Sequence, residues 1–377
     1  MNCAELEDWL LEQGGPSIKL RVYNLKNDLP EIDAKKAVSM LLQCREVNTA
    51  LGFLDGFKVQ ARDKKTVEHL IHYYKETCID HFFSKLMTFG FRAGLPAFEM
   101  KFRPVIDFFA DLHSSEQDYG YCYSLMLHRF FFMAGYTDET IVESMVQRIN
   151  AIHKLAEKRI FDIYQDGSGL PRPSKQWINR GIIKDDLNPF SKAAEQPLPT
   201  IYDLSALAYF PDACMNPCIQ KKTDDIVQYI LEPDFQKIPE HYGLLWDKSK
   251  QQYYACGWAP VLPLYEDNDR PKHIGATSIL NYLHLMSRFK TARNSKWYQS
   301  CLKSLEQYRT EKGTYIFPKE YLDGKNSCPG SISNAVVINA KPDEAFLSAA
   351  NMRLKREERK FLICELISTL NMLEIGI

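Results

Sequence analysis

The chain has 377 residues, and its composition of 45% hydrophobic and 25% charged residues is that of a globular protein with a sizeable core. Its 47 basic and 48 acidic residues give a formal net charge of −1 without a clustered basic surface, which argues against a nucleic-acid-binding protein. No run of 18 apolar residues is uninterrupted, so we expect no membrane span.

The chain begins with an acidic, amphipathic segment, MNCAELEDWLLEQ. This segment has neither the positive start nor the continuous apolar run of a secretory signal, so we expect a cytoplasmic protein. The ten cysteines are scattered along the sequence, and in such a protein we expect buried thiols rather than a disulfide framework.

Most of the sequence is typical of helix pairs that resemble one another. Each pair has a strongly apolar first helix, a break at Gly, Pro or polar residues, and an amphipathic second helix, as the spacing of Ile141, Met145 and Ile149 shows. This pattern predicts an inner ring of first helices wrapped by an outer ring of second helices. The four pairs occupy residues 81–112, 122–155, 200–231 and 276–309.

Three polar residues in these pairs are candidates for helix N-caps: Thr137, Thr223 and Asn294. A side-chain oxygen at an N-cap accepts hydrogen bonds from backbone N–H groups that have no partner inside the helix. We therefore expect second helices to begin at these positions.

Two insertions interrupt the helix pairs, at about residues 165–199 and 239–275. The first is rich in Gly, Pro and Ser, and a loop of this length in a compact domain is usually functional or disordered. The second contains two short aromatic runs, YGLLWD and QQYYACGW, joined by the polar residues KSK. This pattern predicts a β-hairpin.

Several segments resemble an uncharacterised bacterial family that is related to the squalene cyclase and protein prenyltransferase α/α-toroids, the terpenoid cyclase-like proteins. The resemblance covers both ends of the chain and most of its second half. A departure from the family pattern is MRLKREE before the last helix, where Arg353 and Lys355 replace Gly. The segments that carry the resemblance are WLLEQGGPSIKLRVYNL, PLPTIYDLSALAYFP, YGLLWD, YYACGWAP, GTYIFPKEYL and EERKFLICELISTLNML.

The helix-pair pattern and the resemblance together predict an all-α protein, an α/α toroid of helix-pair repeats in a single domain over residues 1–377. The β-hairpin insertion and the long loop are expected near the mouth of the ring. The main alternative is an open HEAT-like superhelix. The two folds differ in whether the C-terminal helix closes against the N-terminal pairs.

The catalytic motifs of related toroids are absent. A cyclase that protonates an alkene needs a D-x-D-D motif, because neighbouring carboxylates position and tune the acid. The pairs Asp185–Asp186 and Asp224–Asp225 match neither this motif nor the metal-binding DDxxD motif. Walker A, GxSxG and GxGxxG patterns are also missing, so the sequence leaves open whether the protein is an enzyme.

A zinc site is a weaker alternative. Prenyltransferases of the toroid fold bind zinc through Asp-x-Cys and a later His, and Asp212, Cys214 and His273 fit that order. Asp212 and Cys214 fall in a break between helices, however, so we favour a turn with two structural thiols, Cys214 and Cys218. His69, His72 and Glu76 could also share a helix face, but we favour a half-exposed polar face there. We predict no metal and no cofactor.

Asp203 is the carboxylate that stands out, because it lies among apolar residues in a first helix. A buried carboxylate must be paired or hydrogen-bonded, or its pKa rises. Asp203 is therefore either a capping or network residue or, as the alternative, a weak catalytic candidate or ligand anchor in a pocket.

Aromatic residues around the hairpin could form a ligand wall or a structural plug, since they combine large apolar area with polar tips. The predicted ligand-binding residues are Tyr202, Asp203, Trp246, Tyr254, Cys256 and Trp258. The first functional hypothesis is an apolar, aromatic pocket for an isoprenoid-like small molecule. The second is a non-catalytic binding or scaffold protein that has lost the chemistry of the toroids. A deep cavity lined by these residues favours the first, and an interior filled by Phe and Leu favours the second.

Overall fold

The structure, a computed structural model, describes residues 1–26, 31–60, 78–114, 118–239, 241–265, 276–322 and 343–376. The chain is mostly helical, with one small four-stranded sheet. Within the described ranges, none of the helices combines the length and the apolar character that crossing a bilayer requires.

The described helices follow the predicted pairs closely. In chain order they are α1 (Cys3–Gln13), α2 (Pro16–Lys26), α3 (Glu31–Leu41), α4 (Arg45–Gln60), α5 (Ile79–Thr88), α6 (Pro96–Ser114), α7 (Asp118–Ala134), α8 (Glu139–Glu157), α9 (Ile201–Ala208), α10 (Pro217–Leu231), α11 (Pro233–Gln236), α12 (Ala276–Met286), α13 (Lys290–Arg293), α14 (Lys296–Leu305), α15 (Lys319–Leu322), α16 (Asp343–Phe346) and α17 (Arg356–Ile375). Short 3₁₀ turns occur at Asp185–Leu187, Asp212–Cys214, Glu306–Tyr308 and Asn351–Arg353.

The two predicted insertions meet in one sheet of order β1-β2-β3-β4. The first insertion supplies the end of β1 (Tyr164–Gln165) and all of β2 (Ile182–Ile183), and the second supplies β3 (Gly243–Asp247) and β4 (Gln252–Cys256). Strands β3 and β4 form the predicted antiparallel hairpin, and β2 pairs with β3 in parallel. The hairpin prediction is confirmed, whereas β1 and β2 were missed because two-residue strands carry no alternating pattern.

The hairpin turn uses an aspartate in place of the common Asn-Gly pair. The Asp247 carboxylate accepts hydrogen bonds from the backbone N–H groups of Ser249 (2.9 Å) and Lys250 (3.1 Å). Gln251 then takes a left-handed conformation with φ of 52°, which brings the chain back into β4. Asp side chains favour such turns because they replace a backbone acceptor.

The chain divides into two compact units. The first contains Met1–Ile106, Asp269–Ser287 and Lys296–Ile377, and the second contains Asp107–Asn268 and Arg288–Ser295. The single domain over residues 1–377 stays a prediction.

In the first unit, the two ends of the chain pack together. Helix α17 contacts both α1 and α2, and α12 and α16 also pack on α17. Backbone hydrogen bonds join Gly15 to Phe346 (2.9 Å) and Ser348 to Gln13 (3.1 Å). The C-terminal helix therefore packs against the N-terminal helices of this unit, and the choice between a toroid and an open superhelix stays a prediction.

In the second unit, the helices form two layers. The first helices α7 and α9 pack against each other, and the second helices α8 and α10 pack against each other. All eight residues of α9 are buried, whereas α10 is buried on one side only. This layering agrees with the predicted difference between apolar first helices and amphipathic second helices.

The three predicted N-caps were wrong. Helix α8 is preceded by Asp138, Thr223 lies inside α10, and Asn294 ends α13. The cap of α10 is Asn216, whose side-chain oxygen accepts from two backbone N–H groups at 3.0 Å. Pro217 is suited to the first helical position because it needs no N–H partner there.

Candidate functional site

The short helix α9 is fixed at its start by a capping box. The Thr200 hydroxyl accepts from the Asp203 N–H (3.2 Å), and the Asp203 carboxylate accepts from the Thr200 N–H (2.8 Å). The box satisfies backbone groups that a helix start leaves unpaired. It also explains why an acid is tolerated in a helix whose eight residues are all buried.

Arg148 of α8 binds the same carboxylate through two parallel hydrogen bonds. Its Nε donates to Oδ1 of Asp203 at 2.8 Å and its Nη2 donates to Oδ2 at 2.9 Å. Nη2 also donates to the Leu198 carbonyl at 3.3 Å. The Arg148 side chain is 0% exposed and that of Asp203 is 2% exposed, so this is a fully buried, bidentate ion pair.

The environment of Asp203 keeps its carboxyl ionised. Burial alone would raise the pKa, but the charge of Arg148 and the hydrogen bonds from Arg148 and Thr200 outweigh burial, and the pKa of Asp203 lies below its ordinary value. Both carboxylate oxygens already accept hydrogen bonds. This geometry fits the capping and network interpretation of Asp203 and gives no proton to donate at neutral pH.

Trp258 also contacts the start of α9, at Ile201 and Tyr202. Its φ of 67° is unusual for a residue with a side chain, and its carbonyl accepts from the Ile201 N–H at 2.8 Å. The half-buried Trp258 ring lies edge-on to Tyr202, with centroids 5.7 Å apart, and to Phe190 at 5.2 Å. The structure therefore brings together Tyr202, Asp203 and Trp258 of the predicted set.

The remaining predicted aromatic residues lie on different faces of the hairpin. Trp246 is paired with Tyr253, and their rings are 4.7 Å apart. Tyr254 and Cys256 lie on the opposite face, since alternate residues of a strand share a face. Cys256 is buried, whereas Tyr254 is exposed. The hairpin thus does not gather Trp246 and Tyr254 into one wall.

The residues of the weaker zinc alternative are only partly described. Asp212 and Cys214 form a 3₁₀ turn, while His273, His69, His72 and Glu76 lie outside the described residues. Within the described part, no group of three or more His, Cys, Asp or Glu side chains is placed to share a metal ion. Cys214 is half-buried and Cys218 is exposed, and the buried thiols among the described cysteines are Cys44, Cys78, Cys256 and Cys301.

Sequence reasoning missed Arg148 and a buried amide at the end of α11. Gln236 donates to the Ile230 carbonyl (2.7 Å) and accepts from the Leu262 N–H (2.9 Å), which anchors the segment after β4. Arg148 did leave a signal in the sequence. It continues the apolar stripe of Ile141 and Met145 at helical spacing, and a charge on such a stripe predicts a buried partner.

The first helix α7 fills its surroundings with aromatic rings. Phe131 lies edge-on to Phe109 (5.2 Å), and Phe132 lies edge-on to Phe210 (5.3 Å). The buried His128 ring forms a hydrogen bond with the Ser144 hydroxyl at 2.8 Å. These residues of α7 are therefore packed among apolar rings, beside the hydrogen-bonded pair of His128 and Ser144.

A second buried ion pair lies in the first unit and joins residues 353 positions apart. Arg21 of α2 donates from Nε and Nη2 to the Glu374 carboxylate of α17, at 2.9 and 2.6 Å. Nδ1 of His284 is 3.7 Å from the same carboxylate. Burial would raise the pKa of Glu374, but the charges of Arg21 and His284 hold the pKa below its ordinary value.

Comparisons with known proteins add no assignment to this geometry. No protein-family model matches the chain, and searches of curated proteins and of solved structures find no match. The relationship to the toroid families therefore stays a prediction that rests on the residues themselves.

Proposed function

We propose that the chain is a non-catalytic binding or scaffold protein that keeps the helix pairs of an α/α toroid without the chemistry of that fold. The observation that carries this proposal is the state of Asp203. The carboxylate that the sequence offers as an acid is held ionised by Arg148 and is used to start α9. A general acid needs a proton and access to its substrate, and this carboxylate has neither.

The packing of the second unit supports the same proposal. The first helices carry buried aromatic and aliphatic side chains, including Phe130, Phe131 and Phe132. An interior filled by such side chains is what a scaffold needs, because packing rather than ligand binding then stabilises the helices. A fold can persist after its original chemistry is lost.

The toroid is part of this proposal. Two observations support it: the layering of first and second helices in the second unit, and the packing of α17 on α1 and α2 in the first. Small-angle X-ray scattering tests it. A closed toroid of this length should have a radius of gyration of about 21 Å, whereas an open superhelix should give a clearly larger value. The cytoplasmic location stays a prediction as well.

Native mass spectrometry of the purified chain, with metal analysis of the same sample, tests whether the chain binds an isoprenoid or zinc. We expect the bare polypeptide mass after exposure to isoprenoid alcohols and diphosphates, and no turnover of either. Recovery of a protein partner at fixed stoichiometry would support the scaffold function. Stoichiometric zinc, or conversion of an isoprenoid diphosphate, would reject the proposal.

A specific observation favours the apolar-pocket alternative. Trp258 is only half-buried although it lies against two aromatic rings and has a strained backbone. Strain of this kind is common at ligand sites, although here it also aims the Trp258 carbonyl at Ile201. An apolar molecule that co-purifies with the wild-type chain and is lost in Trp258→Ala, but kept in Trp246→Ala, would make this alternative the better one.

A further inference from the structure

Among the described residues, no strand covers the outer side of β4, which is an edge of the sheet. It pairs with β3 on one side, and the order β1-β2-β3-β4 places it at the end. Its residues Gln252, Tyr254 and Ala255 are exposed, and the strand contains neither proline nor charge. Edge strands in monomeric proteins usually carry a proline or a charged residue, because an open edge is a template for another strand. The opposite edge, β1, is only two residues long.

The direction of the backbone groups of β4 follows from the neighbouring strand. The Leu244 N–H donates to the Gly181 carbonyl (2.9 Å), on the β2 side of β3. Leu244 is paired with Ala255, so this antiparallel pair is not hydrogen-bonded. The N–H and C=O groups of Ala255, and by alternation those of Tyr253, therefore point away from β3 and toward the open edge.

We propose that β4 pairs with β4 of a second copy of this chain, antiparallel and centred on Tyr254. A two-fold axis at this residue places Tyr253 opposite Ala255 of the partner and each Tyr254 opposite the other. The outward groups of Tyr253 and Ala255 then form reciprocal hydrogen bonds, as symmetry requires of an isologous contact. The sheet becomes continuous across the dimer.

Side-chain chemistry favours a second copy as the occupant. In this register the bulky Tyr253 faces the small Ala255, and the two Tyr254 rings form an aromatic cross-strand pair. Strand β4 itself carries no charged residue, so no like charges meet within the paired strands. An arbitrary strand would not match this alternation of large and small residues on both sides of one axis.

The contact is short, so the dimer should be weak. A five-residue edge buries less area than a standard interface. We expect a reversible equilibrium with a dissociation constant on the order of 10 to 100 µM.

Sedimentation equilibrium of the full chain, from about 1 to 500 µM, measures the association across the range where a weak dimer forms. We expect the wild-type mass to double with concentration. Ala255→Pro should weaken association at least about tenfold, since it removes an N–H that β4 does not use within its own sheet. The matched control Ala255→Ser keeps the N–H and should associate as the wild type does.

A second variant keeps the test decisive if Ala255→Pro does not fold. Tyr254→Lys places two like charges on the two-fold axis while changing an exposed side chain, and it should abolish association at low salt and restore part of it at high salt. A wild-type chain that stays monomeric over the whole range would overturn the proposal. So would a dimer that both Ala255→Pro and Tyr254→Lys leave unchanged, because the contact would then lie elsewhere.

Discussion

The two units each contain a buried arginine–carboxylate pair, and the pairs differ in what else surrounds the carboxylate. Asp203 belongs to a capping box at the start of a helix, so a local backbone feature and Arg148 share it. Glu374 lies in the last turn of α17, and its partners Arg21 and His284 come from distant parts of the chain. An acid complements a helix start but opposes a helix end.

This difference shows how a carboxylate can be buried in two ways. Asp203 is held by the capping box of its own helix, and Arg148 compensates its charge. Glu374 is placed against its helix dipole, so only the tertiary contact holds it. We therefore expect loss of the first carboxylate to damage both a helix start and an ion pair, and loss of the second to damage an ion pair alone.

The largest effect is expected for Asp203→Asn. The variant leaves the Arg148 charge buried without its counter-charge and weakens the capping box, so the free energy of unfolding should fall by about 3–5 kcal/mol. Urea denaturation followed by circular dichroism measures it. Asp225→Asn, at a half-exposed carboxylate that pairs with Lys221 and His153, is the matched control and should cost less than about 1 kcal/mol. A loss for Asp203→Asn as small as that of the control would contradict the network interpretation.

Glu374→Gln should cost less, about 2–3 kcal/mol in free energy of unfolding. Arg21 again loses its counter-charge, but the removed carboxylate was unfavourable at a helix end. The same urea titration applies, and an effect exceeding that of Asp203→Asn would reverse the comparison.

The pH dependence distinguishes these electrostatic terms from packing. Both carboxyls have a folded-state pKa below the ordinary value. The unfolded chain therefore binds more protons in acid, and the stabilisation is present above the unfolded pKa of about 4 and is lost as the pH falls through the lower folded pKa. The difference in unfolding free energy between wild type and Asp203→Asn should be constant from about pH 6 to 8 and should shrink below about pH 4. A difference independent of pH down to 2 would assign the effect to packing.

The contrast also explains what could be predicted from the sequence. Thr200 and Asp203 are three residues apart before an apolar run, so a buried capping acid was visible, as were the helix pairs and the hairpin. The pairing of Glu374 with Arg21 was not, because it depends on how the chain ends meet. The same holds for the sheet, since β2 reaches β3 only through tertiary structure. The N-caps failed because several polar residues compete near each helix start, and a proline decided the start of α10.

Thr223 contrasts with the two buried carboxylates, because within the described part of the chain its side chain is buried without a hydrogen bond that compensates for burial. It is 0% exposed inside α10, and its hydroxyl has no hydrogen-bond partner among the described residues. An unsatisfied buried hydroxyl costs free energy that valine, of the same shape, does not. Thr223→Val should therefore raise the free energy of unfolding by about 1 kcal/mol, the smallest effect proposed and the one of opposite sign.

Thr369 of α17 is the matched control for this change. It is equally buried, but its hydroxyl accepts from the Tyr315 N–H at 3.0 Å. Thr369→Val should lower the free energy of unfolding by about 1–2 kcal/mol, because it leaves that N–H without its acceptor. The two substitutions are chemically identical, so a difference in sign isolates hydrogen bonding from the apolar gain of the methyl group. If both variants are stabilised, hydration of apolar surface outweighs hydrogen bonding at these sites, and the losses expected for the two ion pairs must be attributed to charge alone.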